Sequence, residues 1–319
     1  MQSNQKRNYK RHAWRKAHEV TWGHAVNGRK QLEEAIAARY IMFEADIMLQ
    51  RSLPHTQDAA PNLPRPVMAH PPTIPDDAMP FTEWLEHIID HYKSLQRGWN
   101  TSTEKTDERV FGIKLDFKDP DAVEPCLIHL KTRASEEQLF EEGDKIDHSC
   151  LQVWLNADVL QGPGGRPPSF SAPTFVTQCL QYFPDARLSI GWTTGNPSHT
   201  LTRRLNNQHS QQLNSGGLGI DYDQDMVNEM LRVCNEAKLA GDQWTFPVMA
   251  AWVMPSWENL SRLLAELPGS SLTLWGWCDD TLLPWLASQH PNYYDQNIFV
   301  DCKVQDNEES HTPKQKNNL

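Results

Sequence analysis

The chain has 319 residues, 39% of them hydrophobic, with a mean hydropathy of -0.64 and a formal net charge of -11. That length suits a single α/β barrel of roughly 250 residues with insertions, and the acidity argues against nonspecific nucleic-acid binding, which favours a basic surface. No run reaches the ~20 apolar residues of a membrane span.

The chain opens on a basic arm, residues 1–19, with Lys6, Arg7, Lys10, Arg11, Arg15 and Lys16 and no acid before Glu19. It lacks the apolar core of a secretory signal and is expected to be a disordered tail in an intracellular, cytoplasmic protein, with a mitochondrial presequence or an anion-binding arm as alternatives. From there strand-like and helical runs alternate, the pattern of a parallel sheet. The first predicted strand, 20–26, carries Gly23-His24-Ala25-Val26-Asn27 and leads into a helix over 27–36. The second, 40–48, carries Glu44-Ala45-Asp46. A Pro/Gln/Asp-rich stretch without helical period follows. A parallel crossover needs a dozen or more residues, usually helical, so 66–70, ending in His70, is expected to be a short return strand on the second.

A helix over 81–95 precedes the strand that holds Lys114-Leu115-Asp116-Phe117-Lys118. Helices are then expected over 122–133, 172–183, 225–239, 257–267 and 281–289, alternating with strands over 153–158, 188–193, 245–251, 272–277 and 297–301. The last closes a ring of eight. The predicted fold is α/β, a single (β/α)8 TIM-type barrel over 20–303, followed by a polar, disordered tail over 304–319. Insertions at 50–77, 161–168 and 196–219 follow strands, so these long loops should cover the C-terminal face, where barrel chemistry resides. Residues 97–109 and 134–148 precede strands and should lie at the opposite end. Six scattered cysteines without a CxxC pair read as buried thiols in a reducing compartment.

Residues two apart on a strand share a face. Glu44 and Asp46 therefore converge, as do Lys114, Asp116 and Lys118. Three carboxylates from neighbouring strand ends offer the hard oxygen ligands that Mg²⁺ or a similar divalent cation prefers, and without a cation they would raise one another's pKa. His24 and His70 are the general acid and base candidates, and Lys118 can stabilise a phosphoryl oxygen. Lys114 is either a substrate contact or a deeper salt-bridge partner. Asn156 and Asp158 form a second same-face pair that either extends the site or satisfies loop backbone. Trp192, Trp252, Trp275 and Trp277 fall at late-strand ends and could wall a substrate or simply pack.

The ordered motifs resemble the phospholipase C-like phosphodiesterase superfamily, which includes glycerophosphodiester phosphodiesterases and sphingomyelinase D-type enzymes. In that group a first-strand His, a Glu-x-Asp, a hairpin His and a later Asp serve catalysis and Mg²⁺, matching His24, Glu44-Ala45-Asp46, His70 and Asp116. Gly23-His24-Ala25-Val26-Asn27, with Asn27 at its end, looks like the GHxVN pattern, and Asp116-Phe117-Lys118 like DLK. The menorin family is more similar still over about residues 20–303, through Thr21 to Asn27, Glu44 to Asp46, Val67 to Pro72, Gly112 to Lys118, Trp154 to Asp158, Gly191 to Thr194 and Thr245 to Val248. Ala25 and Pro71 replace the Arg and Asp of the glycerophosphodiesterase pattern, which speaks against glycerol-headgroup recognition.

The expectation is a metal-dependent phosphodiester hydrolase or lyase acting on a lipid-type or other diester. Glu44, Asp46 and Asp116 would hold the ion. His24, His70 and Lys118 would be catalytic, and Asn27, Lys114, Asn156, Asp158, Trp192 and Trp275 would line the substrate. Two alternatives remain open: a non-catalytic interaction or adhesion protein on the same barrel, and a phosphodiesterase acting on RNA, the one way nucleic acid would enter as a partner.

Overall fold

A computed structural model describes residues 16–51, 63–101, 110–137, 139, 151–195, 221–278 and 280–304. The arm before Lys16, the tail after Val304, the whole of the loop expected over 196–219, the segments 102–109 and 140–148, and Cys150 lie outside the described residues.

Eight parallel strands follow one another around a nearly closed barrel: β1 (Trp22–Gly23), β2 (Met42–Gln50), β4 (Phe111–Phe117), β5 (Leu151–Gln161), β6 (Arg187–Thr193), β7 (Trp244–Met249), β8 (Ser271–Cys278) and β9 (Ile298–Val304). The short β3 (Arg65–Met68) pairs antiparallel with β2, the return strand expected there. Helices α1 (Arg29–Ala37), α2 (Phe81–Thr101), α3 (Val123–Glu136), α4 (Ala172–Tyr182), α5 (Gln224–Ala237), α6 (Trp257–Glu266), α7 (Leu282–Gln289) and α8 (Pro291–Asn297) fill the crossovers. The last was not foreseen, because Pro291–Asn297 has no apolar period to announce it.

Alternation along each strand divides the molecule into two layers. Phe43, Ala45 and Ile47, then Ile113, Leu115 and Phe117, Leu155 and Ala157, Leu188 and Ile190, and Phe246 and Val248 are buried in the apolar core with the helices. The other face carries a mostly polar series: Glu44 and Asp46, Lys114 and Asp116, Asn156 and Asp158, Ser189, Thr245, Thr273 and Asp301. Barrel interiors are usually filled by branched apolar residues. Here the polar groups satisfy one another, with Thr245 and Thr273 hydroxyls 2.9 Å apart and Ser189 donating to Asn156 Oδ1.

One end of this inner layer is apolar. Trp22, Met42, Trp154 and Phe299 pack together with Ala17 and Val20. Trp154 meets Phe299 edge-on at 4.9 Å, and the Arg187 guanidinium lies 4.9 Å over Trp154, a cation–π contact that binds the floor to β6.

The ring is not fully laddered. The order runs from β1 to β9 and no ladder joins those two among the described residues. The seam is spanned by packing and side chains: a 3-10 turn at Ala17–Glu19 precedes β1, His18 Nδ1 lies 3.2 Å from the carbonyl of Tyr294, and Trp22 packs on Phe299. The first strand is also shorter than the expected 20–26. Ala25 takes a left-handed φ of 52°, so the chain turns across the end of β2, where Val26 N–H donates to the carbonyl of Glu44. A left-handed alanine is unfavourable on its own and is held here by those bonds.

Candidate metal and acid-base site

Register places the site. Asp46 pairs with Asp116 and Asp116 with Asn156, so the ends of β2, β4 and β5 present these side chains at one level. Glu44 and Lys114 sit two residues deeper, also in register. Oxygen atoms of Glu44, Asp46 and Asp116 all lie within 4.8 Å of one another, and all three residues are buried. This is the cluster the sequence pointed to.

Each carboxylate has a dedicated support. Glu44 Oε2 accepts the Ala25 N–H at 2.7 Å, which explains why the chain bends at that alanine. Asn27 grips Asp46 twice: its amide donates to Oδ2 at 2.8 Å, and its Oδ1 accepts the Asp46 N–H at 2.8 Å. Asn27, expected among the substrate contacts, is thus a holder of Asp46. Asp116 accepts from Asn156 at 2.6 Å and from the Lys118 ammonium at 2.6 Å. Lys118 also lies 3.3 Å from Asp46.

The electrostatics follow from burial. Desolvation, reinforced by Asp46, pushes the Glu44 carboxyl up to about 7. Burial pushes Asp158 up to about 7 as well, against the pull of Lys118. Burial also acts on Asp116, but the ammonium groups of Lys118 and Lys114 outweigh it and hold that carboxyl below its ordinary value. Desolvation would lower the Lys118 pKa, yet Asp116, Asp46 and Asp158 more than offset it and the net shift is upward. A cluster in which one carboxyl is driven toward protonation by burial and then by its neighbours gains by taking up a divalent cation. The donor set, all oxygen and anionic, fits Mg²⁺ or a similar ion.

His24 stands at the rim with its imidazole half exposed. Its Nδ1 lies 3.0 Å from Asp301 Oδ2 and 3.4 Å from Glu44 Oε2. Because a carboxylate can only accept, Nδ1 carries a proton and Nε2 is the nitrogen left to react. The bond to Asp301, with Glu44 adding, raises the His24 pKa to about 9. Asp301 is the functional residue that the strand-end reading missed. It lies two residues beyond Phe299 on β9, and that same-face spacing was the available signal.

His70 follows Ala69, whose N–H donates to the Asp46 carbonyl. It is exposed, and its Nδ1 donates to the Pro71 carbonyl at 2.6 Å, which again leaves Nε2 outward. His70 and Asn27 line one cavity of about 650 Å³ with Arg29, Met68 and Thr73.

The tryptophans divide. Trp275 is in register with Asp301 and only partly buried, and Trp277 is 60% exposed. Trp192 is 1% exposed and packs against Tyr222 and Phe246, and Trp252 is buried beside Tyr222 in a 3-10 turn. The expected substrate wall at Trp192 is therefore corrected. Gly191 takes the inner position, where an added Cβ would stand 2.7 Å from Asp158 Oδ1, and alternation sends Trp192 to the helix side. Lys114 is buried between Glu44 and Trp154 in register, the deeper placement.

The family described as Menorin N-terminal domain matches residues 16–305. The human protein FAM151B is 32% identical over 293 residues, which cover 91% of this chain and 85% of that protein.

Proposed function

From a chain that belongs to the menorin family, and whose barrel gathers three buried carboxylates beside two outward imidazoles, we propose a metal-dependent phosphodiester-cleaving enzyme of the phospholipase C-like superfamily. The observation that carries this reading is the Glu44, Asp46 and Asp116 cluster, supported residue by residue yet electrostatically incomplete.

Glu44, Asp46 and Asp116 would hold Mg²⁺ or a similar divalent cation, which when bound neutralises charge on a phosphoryl oxygen. The remaining work falls to the chain. Asp301 fixes the tautomer of His24, so that Nε2 is the nitrogen left to react. The Pro71 carbonyl does the same for His70. One imidazole takes the proton of the attacking hydroxyl while the other delivers a proton to the leaving oxygen. Lys118, with an ammonium already beside Asp46 and Asp116, directs its remaining donor to the phosphate. The cavity that joins Asn27 and His70 gives one arm of the diester a place to lie.

The test is hydrolysis of a generic aryl phosphodiester with and without added divalent ions, in wild type, His24→Ala and Asp116→Ala. Metal-dependent turnover lost in both variants supports the enzyme. A folded wild type that neither turns over the diester nor binds the ion more tightly than Asp116→Ala overturns it in favour of a scaffold.

A further inference from the structure

Two of the cysteines meet. Cys278 ends β8 and Cys302 lies near the end of β9, where register pairs Gly276 with Cys302 and Cys278 with Val304. Their Sγ atoms are 3.2 Å apart. Cys278 is buried and Cys302 half-buried, and both belong to the layer between sheet and helices. A disulfide requires sulfurs about 2.05 Å apart, so closure asks the pair to approach by about 1 Å. Cys126, Cys179 and Cys234, in contrast, sit on α3, α4 and α5 within the core.

We propose that Cys278 and Cys302 are a redox-modifiable pair, converted to an intrachain disulfide by a small disulfide oxidant of the glutathione type. The thiolate of the more accessible Cys302 attacks one sulfur of the oxidant, releasing the first small thiol and leaving a mixed disulfide. The Cys278 thiolate then attacks Cys302 Sγ and displaces the second small thiol. The protein loses two electrons and two protons, and one oxidant disulfide becomes two thiols.

Position gives the bond its consequence. β9 is laddered to β8 alone among the described strands, and Asp301, the partner of His24, precedes Cys302 directly. The bond would staple the last strand of the ring beside that partner. Burial raises the Cys302 pKa, so thiolate is scarce and the exchange is slow. The pair therefore responds to sustained oxidation.

The full chain is incubated with excess oxidised glutathione, quenched with an alkylating agent under denaturing conditions, and mapped by mass spectrometry, with thermal unfolding measured in parallel. Expected are a loss of two hydrogens without a retained glutathione, a Cys278–Cys302 cross-linked peptide, a higher Tm, and reversal by dithiothreitol. Cys278→Ser should stop at the glutathione adduct on Cys302. A stable adduct in wild type, a cross-link to another cysteine, or both thiols fully alkylated after prolonged exposure overturns the proposal, and none of these outcomes depends on diester cleavage.

Discussion

The two ends of the barrel interior are built from the same strands and are chemically opposite. β2 supplies Met42 to the floor and Glu44 and Asp46 to the rim, β5 supplies Trp154 and then Asn156, and β9 supplies Phe299 and then Asp301. Each step is two residues, one turn of the strand alternation. The floor is held by aromatic packing, with the Arg187 guanidinium lying over Trp154 and Phe299. The rim is a chain of hydrogen bonds from Ser189 through Asn156 to Asp116 and Lys118, and its ionised groups repel as well as attract. Stability and chemistry are thus stacked along one axis, a few ångströms apart.

The floor should be the costlier place to cut. Trp154→Ala removes the central indole of the aromatic floor and should cost about 3–5 kcal/mol, a drop in Tm of about 10 °C by calorimetry, with the cation affinity of the folded protein kept. A variant that unfolds little yet loses the cation would break the separation of the two ends.

The rim answers differently. Glu44→Gln keeps the bond from Ala25 N–H but removes one anionic member of the proposed ligand set, so isothermal titration should show cation affinity falling by about 100-fold or more, with Tm of the metal-free protein unchanged or raised. Asn27→Ala leaves all three carboxylates and frees Asp46 to move; a loss of about 10–100-fold is expected, the usual size for a partner that orients a ligand.

The same electrostatics give a pH signature. Glu44 and Asp158 have folded pKa values raised to about 7, so between their unfolded values and about 7 the folded metal-free protein binds more protons than the unfolded chain. Its stability should fall as pH rises through that window and level off above it. A divalent cation competes with the Glu44 proton, so the Tm gained on adding Mg²⁺ should be small near about pH 5 and grow to about pH 7. Glu44→Gln should abolish that growth while leaving the slope due to Asp158. The smallest effect belongs to neither end: Arg232→Ala breaks exposed pairs with Glu229 and Glu236 and should move Tm by about 1 °C or less.

The strand order and the acidic cluster were legible because both rest on local periodicity. Glu44 and Asp46 had to share a face once 40–48 was a strand, and 66–70 read as a return strand because the sequence before it carries no helical period, in keeping with the pairing of β3 on β2. Trp192 was misplaced for the complementary reason. A strand end shows two residues side by side, and only the register with Asp158 reveals that Gly191 is the inner one. Asp301 escaped because its partner lies 277 positions earlier, across a seam that no single strand's pattern describes. The turn at Ala25 is equally nonlocal, since its left-handed φ is secured by Glu44.

That seam makes the barrel a split ring. In a fully laddered barrel, any change of circumference must break backbone hydrogen bonds, so the ring is stiff in the hoop direction. Here the hoop is fastened by the His24–Asp301 contact at the mouth and, toward the floor, by the packing of Trp22 on Phe299 and the contact of His18 with the Tyr294 carbonyl. Among the described residues the seam is crossed by side-chain contacts and packing in place of a ladder, and the fastener at the mouth belongs to the candidate site. With no described strand pairing across the seam, the clasp at its mouth and the candidate site share one side chain, His24.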